Sequence, residues 1–255
     1  MTITASIVSH GHAAQIAELL VRLAELQNPD LRRVVLTANI PEPELERICE
    51  KGRWPFDLQR IENQQPAGFG ANHNRAFALD GQLGASQAFA VINPDVRLTG
   101  DPFPALIQAL ATSRAGCAYP LQVGEAGCAE DHERTLPSPL ELLKRYFWPR
   151  RGAVGGRAPD WVNAAFLLFP EAVYARLGGF DARYHLYCED VDICLRVQLA
   201  GLQLVRAPGA CVIHAGRRAT RTSGQHFLWH VASLWRLWNS DAYRNYQLLR
   251  EKARL

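Results

Sequence analysis

Thr2-Ile3-Thr4-Ala5-Ser6-Ile7-Val8-Ser9 is an apolar, β-branched run that breaks at His10-Gly11-His12, after which Ile16, Leu19, Leu20, Leu23 and Leu26 recur at helical spacing. A strand pattern followed at once by a helix pattern predicts a β-α unit. The alternation continues. Arg33 to Thr37 reads as a second strand, and Pro41 and Pro43 open a short helix carrying Leu45 and Ile48. Phe56 to Ile61 reads as a third strand, and Gly68-Phe69-Gly70 leads into a helix from Ala71 to Leu79. Phe89 to Ile92 is a buried-type strand ending at Asn93-Pro94-Asp95, Phe103 to Leu110 a helix, and Gly116 to Tyr119 a strand stopped by Pro120. Strands separated by helices predict an α/β fold with a mostly parallel, right-handed wound, Rossmann-like sheet. Such sheets bind ligands at the carboxyl ends of their strands. Ser9 to His12, Ala38-Asn39 and Asn93 to Asp95 are therefore candidates for one shared cleft.

A chain of 255 residues suits one large α/β domain, or up to two at ~150 residues each. Its 48% hydrophobic and 21% charged residues exclude a disordered, collagenous or coiled-coil chain. No apolar run approaches the ~18 residues of a membrane span; Ala164 to Phe169 stops at Pro170. Met1-Thr2-Ile3-Thr4 carries no basic region before its apolar stretch, so no signal peptide is expected. That predicts a cytoplasmic protein. Its six cysteines, which form no C-x-x-C pair, are then expected to be free thiols. The net charge of +3 is uneven: residues 217–255 hold eight Lys and Arg against two carboxylates, a net +6, leaving −3 on the rest. A cationic tail on a mildly acidic body points to an anionic surface or ligand near the C-terminus.

From Leu121 to Asp160 the pattern dissolves into Gly, Pro and charge, with a short helix expected around Leu140 to Tyr146. Order returns with Trp161 to Phe169 and a helix from Pro170 to Leu177. Gly178-Gly179-Phe180-Asp181 then turns the chain toward an acidic helix, Glu189 to Ala200. Leu202 to Val205 and Cys211 to His214 read as strands. Phe227 to Trp238 reads as a helix with one narrow polar stripe and a broad apolar face.

Three places carry candidate chemistry. Asp95, at a strand end in a rigid proline turn, offers oxygen to a hard divalent cation that would bridge a diphosphate; Asn93-Pro94-Asp95 is equally an ordinary turn. Within Cys188-Glu189-Asp190-Val191-Asp192, Asp192 is spaced to pair with Arg196, and Asp190 is the choice for a general base, with helix capping as the plainer role. His214 ends an apolar strand before Ala215-Gly216-Arg217-Arg218, a place for a metal ligand beside phosphate partners or merely a solvated basic loop. Gly68-Phe69-Gly70 is no dinucleotide fingerprint, because His73 stands where the third glycine belongs. There is also no Gly-Lys-Ser/Thr. Its glycines more simply make a tight turn that lets the backbone approach a ligand or another strand.

In their order, these segments resemble the family 2 inverting glycosyltransferases of GT-A fold, closest to the bacterial rhamnosyltransferase-like branch. The resemblance runs from residue 3 to about 240 on Ser6-Ile7-Val8-Ser9, Gly68-Phe69-Gly70 with Asn74, Ile92-Asn93-Pro94-Asp95, Arg134 to Pro137, Trp161-Val162-Asn163-Ala164-Ala165 and Ala207-Pro208 to His214. Its most specific stretch is Gly178 to Arg196. It implies a GT-A domain over 1–216, with a nucleotide-binding half (1–120) and an acceptor half (121–216), followed by a basic, Trp-rich helical tail (217–255). It further implies that Asp95 and His214 hold Mg²⁺ or Mn²⁺ and that Ser9, Asn39, Asn74 and Arg217 join Asp95 around the nucleotide-sugar donor. Asp190 would deprotonate the hydroxyl of a glycan or lipid-linked acceptor, with rhamnose a candidate sugar. The tail would rest on a membrane surface, placing the protein at the inner face of the plasma membrane, or would pack on the main domain or a homodimer partner. No nucleic-acid partner is expected. Ala38 replaces the aspartate that usually ends the family's second strand, and Ala164 replaces a glycine. The first departure keeps a non-catalytic binding module for nucleotide sugar or glycan in view. A nucleotidyltransferase is disfavoured, since no Gly-rich, Lys-containing loop lies near the N-terminus.

Overall fold

The computed structural model describes residues 1–136, 158–214 and 224–252. Its centre is an eight-stranded sheet in the order β3-β2-β1-β4-β9-β6-β10-β5. Here β1 is Ile3–Ser9, β2 Leu31–Ala38, β3 Asp57–Glu62, β4 Ala88–Ile92, β5 Arg97–Leu98, β6 Ala115–Val123, β9 Phe166–Pro170 and β10 Gln203–Ile213. β1 pairs in parallel with β2 and β4, and β2 with β3. β9 enters antiparallel between β4 and β6, and β10 runs parallel to β6. A separate two-strand ribbon joins β7 (Glu133–Arg134) to β8 (Trp161–Val162). The helices are α1 (Ala13–Glu25), α2 (Pro43–Lys51), α3 (Phe69–Gln82), α4 (Phe103–Leu110), α5 (Glu171–Leu177), α6 (Glu189–Leu199), α7 (Gly224–Trp238) and α8 (Asp241–Lys252).

The mostly parallel α/β sheet meets the expectation from the sequence, and most elements fall within a few residues of their expected bounds. Three differ. The strand expected to stop at Pro120 continues to Val123, because Pro120 faces Ala207, where β10 bulges between Ala207 and Cys211. A residue without an N–H is tolerated where the ladder is already interrupted. The same bulge makes one long strand of the two expected at Leu202 to Val205 and Cys211 to His214. Trp161 to Phe169 divides into β8 and β9, which join different sheets. The helix expected at Leu140 to Tyr146 lies outside the described residues.

Both faces of the sheet are covered. Ile3, Ile7, Val34, Leu36, Ile92 and Phe166 pack toward α1 and α4, while Val35, Phe89, Val91 and Leu167 pack toward α3, α5 and α6. The second cluster also takes in Leu237 of α7 and Ala242, Tyr243 and Tyr246 of α8, so the two C-terminal helices share the core beneath α6. Inside the β1–α3 interface, Ser6 Oγ meets His73 Nδ1 at 2.8 Å, and burial pushes the His73 imidazolium down to about 3, so this histidine is a neutral core residue. Arg33 and Asp80 form a buried ion pair nearby, with Thr4 Oγ donating to Asp80 at 2.6 Å.

Candidate active site

The parallel register brings Ser9, Ala38 and Glu62 abreast at the carboxyl edge, with Ile92 and then Asn93 alongside. Here the chain is knitted by asparagines. Asn39 Oδ1 accepts from Ala67 N at 2.8 Å and Asn63 Nδ2 at 2.7 Å, and Asn63 Nδ2 also donates to Asn72 Oδ1 at 2.7 Å. Ser9 Oγ accepts from His12 N at 3.2 Å, and the Ser9 carbonyl accepts from Asn39 N at 2.9 Å. Ser9 and Asn39 therefore stand side by side. Next to them a hollow of about 220 Å³ is lined by Ala38, Pro41, Glu42, Arg60 and Asn63.

Asp95 follows β4, and His214 follows β10. Val123, at the end of β6, fixes His214 by accepting its backbone N–H at 2.9 Å. His214 Nε2 then lies 3.5 Å from Asp95 Oδ1. Burial lowers the basicity of His214, with His132 and Arg134 adding to the effect against Asp95 and Glu130. A neutral imidazole results near neutral pH, the form that ligates metals. Asn93 Oδ1, Gln122 Oε1 and His132 Nε2 are buried with no hydrogen-bond partner among the described residues. Buried polar atoms are nearly always satisfied, so these three, two of them in the segments that lead to Asp95 and to the Val123 contact of His214, are free to meet a ligand. A larger groove of about 860 Å³ opens beside Asp95 between α1 and β5, lined also by Glu18, Arg22, Arg97 and Glu125.

Asp190 sits in the first turn of α6. Tyr187 and Cys188, immediately before that helix, have φ of 73° and 65°. Two successive non-glycine residues in the left-handed region are a strained arrangement, and such strain gathers at functional sites. The loop is held by contacts with α3. Gly68 lies against the His185 carbonyl, where a Cβ would come within 2.7 Å, and Phe69 N donates to that same carbonyl at 2.9 Å. The glycines thus allow close approach of another chain segment, a loop rather than the strand or ligand expected of them. Asn74 completes the clamp. Its Oδ1 accepts from Phe180 N and from Tyr174 OH, and its Nδ2 donates to the Phe180 carbonyl at 2.7 Å. Three of the amide's four hydrogen-bonding positions are used in holding the turn at Gly179-Phe180.

The carboxylates of α6 divide as their spacing suggests. Asp192 accepts from Arg196 Nε at 2.7 Å. Asp190 Oδ1 accepts from Val191 N at 2.8 Å. Burial raises Asp190 to about 6, opposed by that N–H and by the Arg134 guanidinium. Glu189 is buried, its Oε2 has no hydrogen-bond partner among the described residues, and burial together with Asp190 raises it well above the ordinary glutamate value.

Arg134 joins the two halves of the site, acting electrostatically on both Asp190 and His214. It is placed by the β7–β8 ribbon: its guanidinium carbon lies 5.1 Å from the Trp161 ring centre, and Trp161 Nε1 donates to the Thr135 carbonyl at 2.9 Å. Its neighbour Glu133 accepts from Tyr119 OH at 2.9 Å. In the sequence, Arg134 stands out only as the first residue of the Arg134 to Pro137 segment. A two-residue strand has no periodicity to reveal it. Arg217 lies outside the described residues, as do Arg218 and Arg221.

The donor set suits a hard divalent cation. Asp95 offers a carboxylate and His214 a neutral nitrogen, and Mg²⁺ is ordinarily held by one or two protein carboxylates with phosphate oxygens and water completing the shell. Among the described residues no group of three or more His, Cys, Asp or Glu is arranged to hold a metal.

The wound sheet, with polar groups gathered at its strand ends, has the GT-A fold of known glycosyltransferases. The mannosyltransferase PcManGT from Pyrobaculum calidifontis, solved with GDP-Man and Mn²⁺, superposes with a TM-score of 0.61 at 16% identity over 92% of this chain and 64% of its own. No protein-family profile matches the sequence. It is similar to rhamnosyltransferase WbbL of Escherichia coli (strain K12), 28% identical over 90% of both chains. It is also 30% identical over 189 residues to the N-acetylglucosaminyl-diphospho-decaprenol L-rhamnosyltransferase of Mycobacterium tuberculosis (strain ATCC 25618 / H37Rv), covering 65% of this chain and 62% of the relative. The chain thus resembles rhamnosyltransferases in sequence and shares the GT-A fold.

Proposed function

We propose that the protein transfers a sugar, with rhamnose first among candidates, from a nucleoside-diphosphate donor to a lipid-linked glycan acceptor with inversion at the anomeric carbon. Asp190 takes the proton of the acceptor hydroxyl. The acceptor oxygen forms its bond to the anomeric carbon as the bond to the diphosphate oxygen breaks, and the diphosphate leaves with the electron pair. Asp95 and His214 are the residues that would hold Mg²⁺ or Mn²⁺. That ion supplies charge stabilisation to the departing diphosphate. Ser9 and Asn39 border the nucleoside, and Asn74 acts by positioning the Gly179-Phe180 turn. The reaction belongs in the cytoplasm, at the inner face of the membrane that carries the acceptor.

The observation that carries this reading is Arg134 lying within electrostatic reach of both Asp190 and His214, which ties the base to the Asp95–His214 pair. A base that titrates near 6 is also matched to proton removal near neutral pH. The names of the two relatives support rhamnose, and that of the mycobacterial one supports a polyprenyl-diphosphate acceptor. The test is a transfer assay with nucleoside-diphosphate sugars, with and without Mn²⁺, reading the product's anomeric configuration by NMR. Retention of configuration, or turnover indifferent to chelation, would overturn the corresponding part.

A second reading, a non-catalytic module that binds nucleotide sugar or glycan, is favoured by Ala38, whose methyl group lines the hollow beside Asn63 where the family resemblance expects a carboxylate. Calorimetric donor binding without donor hydrolysis or transfer would select it.

A further inference from the structure

Of the nine large apolar side chains exposed among the described residues, six lie on the last two helices: Phe227, Leu228, Val231 and Trp235 on α7, and Leu248 and Leu249 on α8. At 3.6 residues per turn the four on α7 fall within one arc of roughly 100°, and buried Ser233 and Leu237 occupy the opposite side. A helix packed on a domain ordinarily turns its polar side to water. This one turns apolar residues outward.

Its inner side is seated on the segment just before the carboxylates of α6. Ser233 Oγ donates to the Leu186 carbonyl at 2.9 Å, and Tyr187 OH and His226 Nδ1 are 2.8 Å apart. The His185 and Trp229 rings lie 4.6 Å apart, and the Arg236 guanidinium stands over the Tyr184 ring. Whatever covers the outer arc of α7 is therefore held beside Glu189-Asp190. The charge of this region selects the occupant. Residues 217–255 carry a net +6 on a body of −3. Two copies of a segment so charged repel when brought together, whereas an anionic surface attracts it.

We propose that the outward arc of α7 docks on an anionic lipid bilayer, holding the Asp190 loop at the surface where a lipid-linked acceptor is presented. This rests on the acceptor reading above. No helix of the described residues is long and apolar enough to cross a membrane, so the seat is interfacial, with Trp235 at headgroup depth.

The test is sedimentation of the full chain with phosphatidylcholine vesicles, with and without phosphatidylglycerol, for the wild type and the double variant Leu228→Glu, Trp235→Glu. Both residues are exposed, so the variant is expected to fold, and circular dichroism checks this. The expected result is partitioning that requires phosphatidylglycerol, weakens with added salt and drops about tenfold or more in the variant. Transfer to a water-soluble acceptor should be unchanged by the variant. Absence of partitioning, or partitioning equal in the two proteins, overturns the proposal. So does a wild-type dimer that the variant converts to monomer, which would assign the arc to a second copy. Vesicle binding is read without any donor, so failure of the transferase reading would register in the transfer assay and leave this result standing.

Discussion

His214 Nε2 and Asp95 Oδ1 stand 3.5 Å apart, although they come from opposite halves of the chain and from strand ends separated in the sheet by β9 and β6. A carboxylate facing an imidazole whose basicity burial lowers is the pair that the proposed function assigns to a shared cation.

Asp95→Ala and His214→Ala should each weaken Mn²⁺-dependent donor binding by about tenfold or more, consistent with loss of one metal contact. Because both residues would serve one ion, the double variant should fall well short of the product of the single effects. Calorimetry with a nucleoside-diphosphate sugar, in Mn²⁺ and then in chelator, checks this. Multiplicative effects would show that the two residues act independently.

Asp190→Asn removes the proton acceptor while keeping the side chain's size. Transfer should drop by about 10²-fold to 10⁴-fold while donor affinity stays within a few-fold of the original. Single-turnover transfer, set beside donor titration, separates the two quantities. Equal losses in both would reassign Asp190 to donor binding.

With Asp190 raised to about 6, the transfer rate should climb with pH through that value as the carboxylate becomes the proton-free form. Glu189 bears on stability instead. Its folded-state pKa lies above that of the unfolded chain, so the native state holds the proton more tightly and stability falls as pH rises through the interval between the two. Glu189→Gln removes that dependence. Its melting temperature should match the wild type's at pH values below the unfolded carboxylate range and exceed it by a few degrees near neutrality. Thermal scans across pH check the sign, and a difference that shrinks as pH rises would contradict it.

Gly179 combines a φ of 68° with a site where a Cβ would meet Asn74 Oδ1 at 2.2 Å. Gly179→Ala should therefore cost on the order of 2 kcal/mol of stability. It should also lower kcat, since the same turn leads into the Asp190 loop. Urea unfolding and steady-state kinetics test the two effects separately.

The β-α alternation was legible because each early strand is a run of apolar residues followed by a helix with its own period. The Asp192–Arg196 pair was legible for the same reason, since four-residue spacing on a helix is local information. Strand direction was not. Phe166 to Phe169 is as apolar as a parallel strand, and only its partners show that it runs against them. Pro120 looked like a stop because the bulge that accommodates it lies in β10, far along the chain. Arg134 reaches the site through a ribbon too short to leave a periodic trace. Asp95 and His214 were each recognisable as strand-end groups, yet their meeting depends on the order of strands across the sheet, which no local pattern encodes.

Asp160 gathers two distant segments at one carboxylate: Leu136 N donates to it at 2.7 Å, and from α8 Tyr246 OH at 3.0 Å and Arg250 Nη1 at 2.8 Å. The last helix is thereby latched to the strand pair that presents Arg134. Cutting the chain ahead of Tyr246 would leave a buried acid without two of its donors, and the slackness would be felt far from the cut, at the ribbon that carries Arg134.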